Sequence, residues 1–517
     1  MRNRYSHMLA RGAVLYLMFW SITFLHAQES DSSLVSPKAN VVVLDSMSTS
    51  AYAMMKRHTV WVGDSNIIKP RIVSSTFQFD KGDLMPATGS DRTLGIALES
   101  EGYLKWKDVD FWGSFKYVRQ YEDSTRFRHQ TRINESAPLF FGSLASNHYE
   151  RSVYAFQATA QNRTLRRMPI TIGFDYRVGD HFSNNDPRGK LDDFQLNTTL
   201  GIGYLPSSNL EMHATVRYGY GRERAQIAYK RVSLDRTYIS WFMNGYGNGD
   251  EKTRDVNYND SFQRFGLGAH MKYTLANSVL WGNISWNREI QTFKQDHNSE
   301  LTYILFNTYQ LNTLTGDLLW RKQIDIDSKL GLSFQGLLQH GTDDNPQLGA
   351  INYVHDLEKF MLKANYRKGA KEFVFGIAHE YMRKQDGVVD LDLDHQHINI
   401  DLAAMNTFNL SSSSLLLGLK AGYMLAYQNN IHFSAINQNY FNSKWIYNDF
   451  LYNGVNKLKL GILADLRLRS RENYTISLFF DNEVLLRNGD PDLENWTNYS
   501  VGKYYTYNRL GFRLLLN

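Results

Sequence analysis

Three aspartates and two histidines lie close together in one short stretch, and all five are residue types that bind metal ions. The group lies within residues 386–397 and consists of Asp390, Asp392, Asp394, His395 and His397. Alternate carboxylates with imidazoles nearby can bind calcium or a borderline metal such as zinc. In an extended segment the three aspartates share one face, but the glycine and glutamate of an EF-hand loop are missing. We therefore predict no cofactor, with a loop-bound divalent metal as the one alternative to a plain solvated loop.

The sequence carries no recognisable catalytic motif. It has no cysteine, no Gly-x-Ser-x-Gly and no His-Glu-x-x-His. Its 15 histidines and many serines make chance Ser/His pairs inevitable, so a pair alone does not indicate catalysis. The adjacent His379 and Glu380 fall near the end of a predicted strand, where we interpret them as wall residues. We predict that the protein is not an enzyme.

Charged side chains recur at alternate positions along several predicted strands, opposite apolar ones. Both signs are present in similar numbers, and the chain as a whole carries a formal charge of +5. These charged side chains have two interpretations. In the first they form ion pairs along the wall and stiffen it, and in the second they form a constriction whose opposed charges orient a polar solute. Both interpretations stay open, because the strand stagger decides which residues face each other. The candidates to line a lumen are Glu99, Glu101, Lys105, Arg217, Lys420, Lys459, Asp465, Arg467, Asp481 and Glu483.

Two long polar segments, residues 224–261 and 429–454, are unusually rich in aromatic side chains. Exposed aromatic residues at this density indicate a partner, either a protein surface or the face of a sugar. The alternative is that they pack on one another as a cap formed by loops. The first segment can also fold into a lumen or cover its mouth. The candidates for partner binding are Trp241, Phe242, Tyr440, Phe441, Trp445 and Tyr447.

Long amphipathic strands are the elements that must position these residues. Between residues 456 and 469 apolar side chains occupy every second position, with lysine, aspartate and arginine between several of them. After a polar turn at residues 470–473, residues 474–483 alternate in the same way. Successive side chains of a strand point to opposite faces, and average globular strands are only about five or six residues long. The pattern predicts a transmembrane β-barrel, rather than a soluble β-sandwich or β-helix with shorter strands.

The connectors between these strands alternate between short and long. Short connectors are typical of the periplasmic side of an outer-membrane barrel, and long ones of the outside. Counting residues 71–80 as the first strand gives an all-β antiparallel barrel of about 18 strands, with both ends of the barrel in the periplasm. That first strand and the irregular strand at residues 307–322 have the weakest pattern, so 16 strands is the alternative. The predicted short connectors are residues 106–108, 206–209, 276–277, 369–370, 409–412 and 470–472.

Three regions follow from this pattern. Residues 1–27 combine a basic start with an apolar run at residues 13–25, which predicts a cleaved secretory signal. Residues 28–70 show no clean alternation and are predicted to be a periplasmic leader or a small plug inside the lumen. Residues 71–517 are predicted to be the barrel itself.

Composition agrees with a barrel and excludes other classes. The mean hydropathy is -0.44, and no internal run reaches the roughly 20 apolar residues that a membrane helix needs. In a barrel only alternate residues touch lipid, so the average stays polar. The small net charge and its mixed signs exclude a nucleic-acid surface. The absence of cysteine excludes a lipid anchor and disulfides. We predict a protein of the outer membrane, in contact with its lipid.

The strands rich in tyrosine and asparagine, together with the Ala27-Gln28 junction after the signal, resemble the large outer-membrane barrels of the Bacteroidota. The resemblance covers nearly the whole mature chain as a pattern and implies a place in the cell envelope. The chain lacks the plug-plus-barrel length of TonB-dependent transporters. From its size, polar inner face and lack of catalytic motifs we predict a porin-like pore or accessory transport protein for polar solutes. The alternative is a non-conducting structural subunit that binds other outer-membrane proteins through its aromatic outer loops.

Overall fold

A computed structural model describes residues 45–126, 136–165, 167–230, 235–296, 303–411, 413–469, 474–489 and 501–516. The predicted signal at residues 1–27, the following residues 28–44 and the predicted turn at residues 470–473 lie outside the described residues. Among the helices that the structure describes, none has the length and apolar character needed to cross a membrane.

The described chain contains 21 strands and two helices. In chain order the strands are β1 (Arg71–Gly82), β2 (Arg92–Trp106), β3 (Val109–Thr125), β4 (Leu139–Ser143), β5 (Asn147–Asn162), β6 (Ile170–Ser183), β7 (Arg188–Tyr204), β8 (Leu210–Ala228), β9 (Ser240–Asn244), β10 (Gly249–Lys252), β11 (Val256–Leu275), β12 (Ser278–Asp296), β13 (Tyr303–Gln323), β14 (Ser328–Asn345), β15 (Ala350–Lys368), β16 (Lys371–Asp386), β17 (Leu391–Asn409), β18 (Ser413–Phe433), β19 (Asn456–Arg469), β20 (Tyr474–Asn488) and β21 (Tyr504–Leu516). The helices are α1 (Ser46–Arg57) and α2 (Asn442–Gly454).

Eighteen of these strands form one closed antiparallel barrel, which uses every strand except β4, β9 and β10. Closure occurs between β1 and β21, where Ile72 pairs with Leu515, while on its other side Ile72 pairs with Glu101 of β2. Each barrel strand therefore has a hydrogen-bonded neighbour on both sides, as a lipid environment requires. The prediction of 18 strands is confirmed, and the alternative of 16 is wrong. Both weak strands, β1 and β13, belong to the barrel.

The outer face of the barrel is apolar. Large side chains that alternate along the strands, such as Ile96 and Leu98 on β2 or Leu510 and Phe512 on β21, are exposed on the outside. Leu419 of β18 is the most prominent, at 67% exposed. A closed barrel with an apolar outer belt is the form in which strands cross a bilayer. The protein is therefore an outer-membrane β-barrel in contact with membrane lipid, as the sequence predicted.

The turns at one end of the barrel are tight, and two of them contain a residue with a positive φ. Lys107 lies in the turn between β2 and β3 with a φ of 53°, and Gly369 lies between β15 and β16 with a φ of 58°. These are two of the predicted short connectors. At the other end three connectors are shorter than predicted: residues 184–187, 346–349 and 387–390. The reason is that the flanking strands continue to pair further outward, for example Phe182 with Lys190.

We predict that Leu419→Arg lowers the free energy of unfolding by about 2–4 kcal/mol, because it places a charge on the lipid face. Denaturant titration of the protein refolded in lipid vesicles measures this change. The matched control is Ile326→Arg, since Ile326 lies in a short turn and is 96% exposed outside the strands. Equal effects of the two substitutions would contradict the assignment of the outer belt.

Candidate functional site

The N-terminal segment, defined as residues 45–70, lies inside the barrel and begins with α1. The Asp45 carboxylate accepts a hydrogen bond from the Ser48 backbone N–H at 2.7 Å, which caps the first turn of the helix. Asp45 also pairs with Arg367 at 3.1 Å and lies 3.6 Å from Lys329. Burial opposes its ionisation, but the Ser48 hydrogen bonds and the two cations outweigh burial and hold the pKa of Asp45 below its ordinary value. The start of α1 is thus fixed to β14 and β15.

The polar face of α1 binds the opposite part of the wall. The Tyr52 hydroxyl donates to Glu101 at 2.6 Å, and Lys56 forms an ion pair with the same carboxylate. At the end of the helix His58 lies 2.6 Å from Asp317 of β13. One predicted lumen residue, Glu101, is therefore a docking point for the segment.

The residues that follow α1 are anchored more deeply. Trp61 is completely buried and donates from Nε1 to Asn283 at 2.8 Å. Asp64 is 1% exposed and accepts hydrogen bonds from Trp281 Nε1 at 2.8 Å and from Lys272 Nζ at 3.1 Å. A buried carboxylate needs such partners to remain charged at acceptable cost. Asp64 is therefore the central anchor of the segment.

This anchor belongs to a larger ionic network on the wall. Lys272 also pairs with Glu211 at 2.8 Å, and Glu211 pairs with Arg163 at 3.0 Å. The neighbouring wall side chains Trp112 and Val279 are within a few residues of the tight turns. The segment therefore fills part of the lumen near the periplasmic end.

The outer end of the lumen is filled by the loop cap, which we define as residues 139–143, 240–252 and 435–454. Strands β4, β9 and β10 form a separate three-stranded sheet in which two different outer loops pair, with Phe141 opposite Phe242. Helix α2 lies against this sheet, and Asn442 donates from its amide to the Gly247 carbonyl at 3.0 Å. Phe141 and Phe242 also contact Tyr258 on the wall, at ring-centre distances of 5.6 and 5.5 Å. The cap thus reaches the inner face of the barrel.

The aromatic residues that the sequence indicated as an exposed binding surface form the core of this cap. Trp241 stacks on Phe441 with ring centres 5.0 Å apart, and Phe140 meets Trp445 edge to face at 5.1 Å. The predicted exposure is wrong for Trp241, Phe242, Phe441, Trp445 and Tyr447, all of which are buried. Tyr440 is half-buried, and its hydroxyl donates to Glu251 at 3.1 Å. The alternative interpretation is the one that the structure shows: these side chains pack on one another. Burial in a core formed by loops removes their apolar area from water.

The predicted metal cluster is divided between two faces of β17. His395 and His397 point inward and are buried, with His395 Nδ1 3.1 Å from Asn429 and His397 Nε2 2.7 Å from the Asn453 carbonyl. The aspartates lie on the other face, each with its own partner. Asp392 pairs with Arg383 at 2.6 Å, Asp394 accepts from Asn430 at 3.1 Å and Asp390 lies 3.3 Å from His432. These five side chains do not converge, and no cluster among the described residues is arranged to hold a metal ion.

The ten predicted lumen residues all occupy inward positions of their strands. Eight of them form ion pairs. Glu99 pairs with Lys116, Glu101 with Lys56, Arg217 with Asp175 at 3.5 Å, Lys420 with Asp481 at 2.6 Å, Lys459 with Asp401 at 3.4 Å, and Asp465 with Arg467 at 2.9 Å. Lys105 and Glu483 form no ion pair with any residue that the structure describes. Most of the ten predicted lumen residues are thus paired along the wall, and space for a passage remains elsewhere in the lumen.

Two adjoining cavities lie along one side of the inner wall. The larger, of about 610 Å³, lies between α1 and strands β15–β21. The second, of about 350 Å³, lies between strands β19–β21 and β1–β3. Leu463, Phe479 and Arg513 line both, so the cavities adjoin. Their lining combines charged side chains such as Glu99 and Asp465 with apolar ones such as Leu463 and Phe479.

Sequence reasoning missed the residues that organise this interior. Trp61 and Asp64 sit in a stretch without alternation, and only an aromatic-plus-acidic pair just before the first strand hints at them. Arg509 and Arg513 lie at inward positions of β21 and line the smaller cavity. The alternation that identified Arg467 would have identified both.

One family model and several solved structures are similar to this chain. A family model described as "Family of unknown function (DUF6850)" matches residues 67–513. No curated protein matches the sequence. The chain is similar to the alcaligin outer membrane receptor FauA from Bordetella pertussis, with 10% identity, coverage of 86% of this chain and 76% of that chain, and a TM-score of 0.40. It is also similar to the outer membrane transporter YddB from Escherichia coli (7% identity, 87% and 81% coverage, TM-score 0.40) and to OccAB2 from Acinetobacter baumannii (10% identity, 86% and 97% coverage, TM-score 0.36).

We predict that Asp64→Asn loosens the N-terminal segment, because it removes the negative charge and leaves one acceptor oxygen where Lys272 and Trp281 each had their own. Hydrogen bonds to a charged group contribute about 1.5–3 kcal/mol, so amide hydrogens of residues 46–62 should exchange about ten- to a hundredfold faster. Hydrogen exchange with mass spectrometry measures this. Asp401→Asn is the control, since Asp401 pairs with Lys459 on the wall. Unchanged exchange in the Asp64 variant would show that the segment is held by other contacts.

Proposed function

The chain belongs to the family of unknown function DUF6850, and we propose that it is a gated transport protein for polar solutes in the outer membrane. The observation that carries this proposal is the pair of adjoining cavities along one side of the inner wall, whose lining includes charged side chains of both signs. An 18-stranded wall encloses a lumen wider than its own side chains fill. The charged side chains on the walls of these cavities supply groups that bind and orient a polar solute.

The gate in this proposal consists of the N-terminal segment and the loop cap. The described residues of the segment contact the wall through side chains, as at Asp64, and add no strand to the barrel sheet. A part that is held by side chains can be released without opening the backbone ladder. The cap closes the outer half by aromatic packing between loops. Passage of a solute requires movement of one part or both.

The second candidate function is a non-conducting structural subunit of a larger outer-membrane assembly. The packed aromatic core of the cap favours it, because a lumen closed at both ends suits a scaffold as well as a resting channel. In that case the partner proteins bind the outside of the cap, where Ile436 is 94% exposed and Tyr440 is half-buried. Affinity capture that returns only the protein itself would count against this candidate.

We propose that the protein has no catalytic activity and needs no cofactor. We also propose that it belongs to the cell envelope of the Bacteroidota, on the resemblance of its strands and signal junction to barrels of that group.

We predict that the purified protein conducts poorly in a planar bilayer and that opening both parts of the gate raises its conductance at least about tenfold. The test compares three proteins: the wild type, a variant without residues 45–64, and that variant with residues 240–252 replaced by a short glycine-serine linker. Conductance should rise in that order, because each change removes material from the lumen.

The control is the Leu419→Ala variant of the open barrel, which alters only the lipid face without adding a charge and should conduct as the open barrel does. If the doubly opened variant is folded yet silent, transport is wrong and the structural-subunit function takes its place. A wild-type protein that conducts as strongly as the opened variants would show that the segment and the cap are not a gate.

A further inference from the structure

We propose that Arg513 and Arg509 of β21, together with Arg467 of β19, form a binding subsite for the oxyanion group of a solute, a carboxylate or a phosphate. The subsite lies where the two cavities adjoin. The proposal rests on the proposed transport function and deepens it, because it names the charge class of the solute.

Strand register brings the three arginines together on one patch of the inner wall. Arg467 and Arg513 are both cross-strand partners of Ser477, from opposite sides of β20. Arg509 lies four residues before Arg513 on β21, at the second inward position from it, opposite Asp481. Inward positions of β21 alternate with the lipid-facing leucines and phenylalanine, so Arg509 and Arg513 both point into the lumen.

The Arg513 guanidinium is held in place by an aromatic ring. Its Cζ lies 3.8 Å from the ring centre of Phe479, and the ring itself covers Gly511, where any side chain would collide with it. Stacking fixes the plane of a guanidinium and leaves its N–H groups free at the edge. The Arg513 side chain is 38% exposed and lines both cavities. It is therefore oriented and accessible at the same time.

The hydrogen-bonding capacity of this arginine is largely unused. Its closest acidic neighbour is Asp465, with which it forms an ion pair at 3.7 Å, too long for a hydrogen bond. In the part of the chain that the structure describes, Arg513 and Arg509 donate no hydrogen bond. Nη1 of the buried Arg467 likewise has no partner among the described residues. A guanidinium carries five donors in a planar fork that matches an oxyanion.

The carboxylates lining the two cavities are already engaged. Asp465 accepts from Arg467 at 2.9 Å and from Ser477 at 2.6 Å, and Asp481 pairs with Lys420 at 2.6 Å.

The other three cavity carboxylates also have partners. Glu99 pairs with Lys116, Asp45 pairs with Arg367, and Glu372 accepts from the Ser46 N–H at 2.8 Å. The three arginines of the patch therefore have one ion-paired carboxylate between them: Asp465 pairs with both Arg467 and Arg513, and Arg509 forms no ion pair with any residue that the structure describes. An anionic group of the solute supplies the missing acceptor.

Equilibrium binding to the intact protein and to the variant without residues 45–64 tests this subsite without requiring transport. Isothermal titration measures binding of succinate and of inorganic phosphate in separate experiments at constant ionic strength, with glucose as the uncharged probe. We expect saturable binding of at least one anion and none of glucose. The anion that binds identifies the group as a carboxylate or a phosphate. Failure of both anions to bind either folded protein at concentrations of tens of millimolar would overturn the proposal.

Variants locate the site. Arg513→Gln should weaken anion binding at least about tenfold, because it removes the charge and the fork. Arg513→Lys keeps the charge but loses the fork, and it should fall between Arg513→Gln and the wild type. The control Lys459→Gln removes one wall charge that lines neither cavity and should leave affinity within about twofold. If Arg513→Gln and Lys459→Gln lose anion affinity equally, the loss reflects net charge alone, and the proposed site is overturned.

The outcome is independent of the conductance experiment. Anion binding by a barrel that stays silent after opening would keep the subsite and overturn transport. Steady conductance from the opened barrel without anion binding by the intact protein or by the variant without residues 45–64 would do the reverse. If Arg513→Gln does not fold, Arg509→Gln, at an exposed position of the same strand, carries the test, and its expected loss is about threefold or more.

Discussion

The pairing of β1 with β21 is the contact on which the rest of the structure depends. Without it, two edge strands would leave unpaired N–H and carbonyl groups in lipid, where no water can satisfy them. Closure fixes the strand number at 18, and the strand number fixes the width of the lumen. A lumen of that width cannot be packed by wall side chains alone. The positions of the N-terminal segment and of the loop cap are therefore consequences of how the barrel closes.

The two ends of the lumen are filled by different kinds of interaction. Near the periplasmic turns, single side chains anchor the segment, with the Asp64 carboxylate between Lys272 and Trp281. At the outer end, two loops share a backbone ladder through β4 and β9, and aromatic rings form the core. The Asp64 anchor depends on the charge of single side chains, whereas burial of apolar area holds the aromatic core together. The periplasmic part is thus the one that a change in side-chain charge weakens.

The barrel was predictable from the sequence, and its filling was not. Alternation is a local property with a period of two, so it revealed the strands, their faces and the inward positions of Glu101 and Asp465. Even β1, with three adjacent serine and threonine residues at its centre, was found as the partner needed for an even strand number. The small sheet depends on Phe141 meeting Phe242, which are far apart in sequence and come from different loops. Such a meeting is set by the closed barrel and leaves no local pattern.

In the aromatic segments, residue type alone gave the wrong prediction of exposure. Trp241 and Phe441 were predicted to form a surface for a partner because loops usually face water, yet the two rings stack on each other inside the cap. The charged residues show the opposite case. Alternation identified Arg467 as facing inward. Cross-strand register, which alternation does not give, decides whether an inward charge forms an ion pair with a neighbouring residue. Asp465 pairs with Arg467 at 2.9 Å and, at 3.7 Å, with Arg513, which stacks on Phe479 and keeps its hydrogen-bond donors. Two arginines that share one carboxylate give this side of the lumen an excess of positive charge, and with it a preference among solutes.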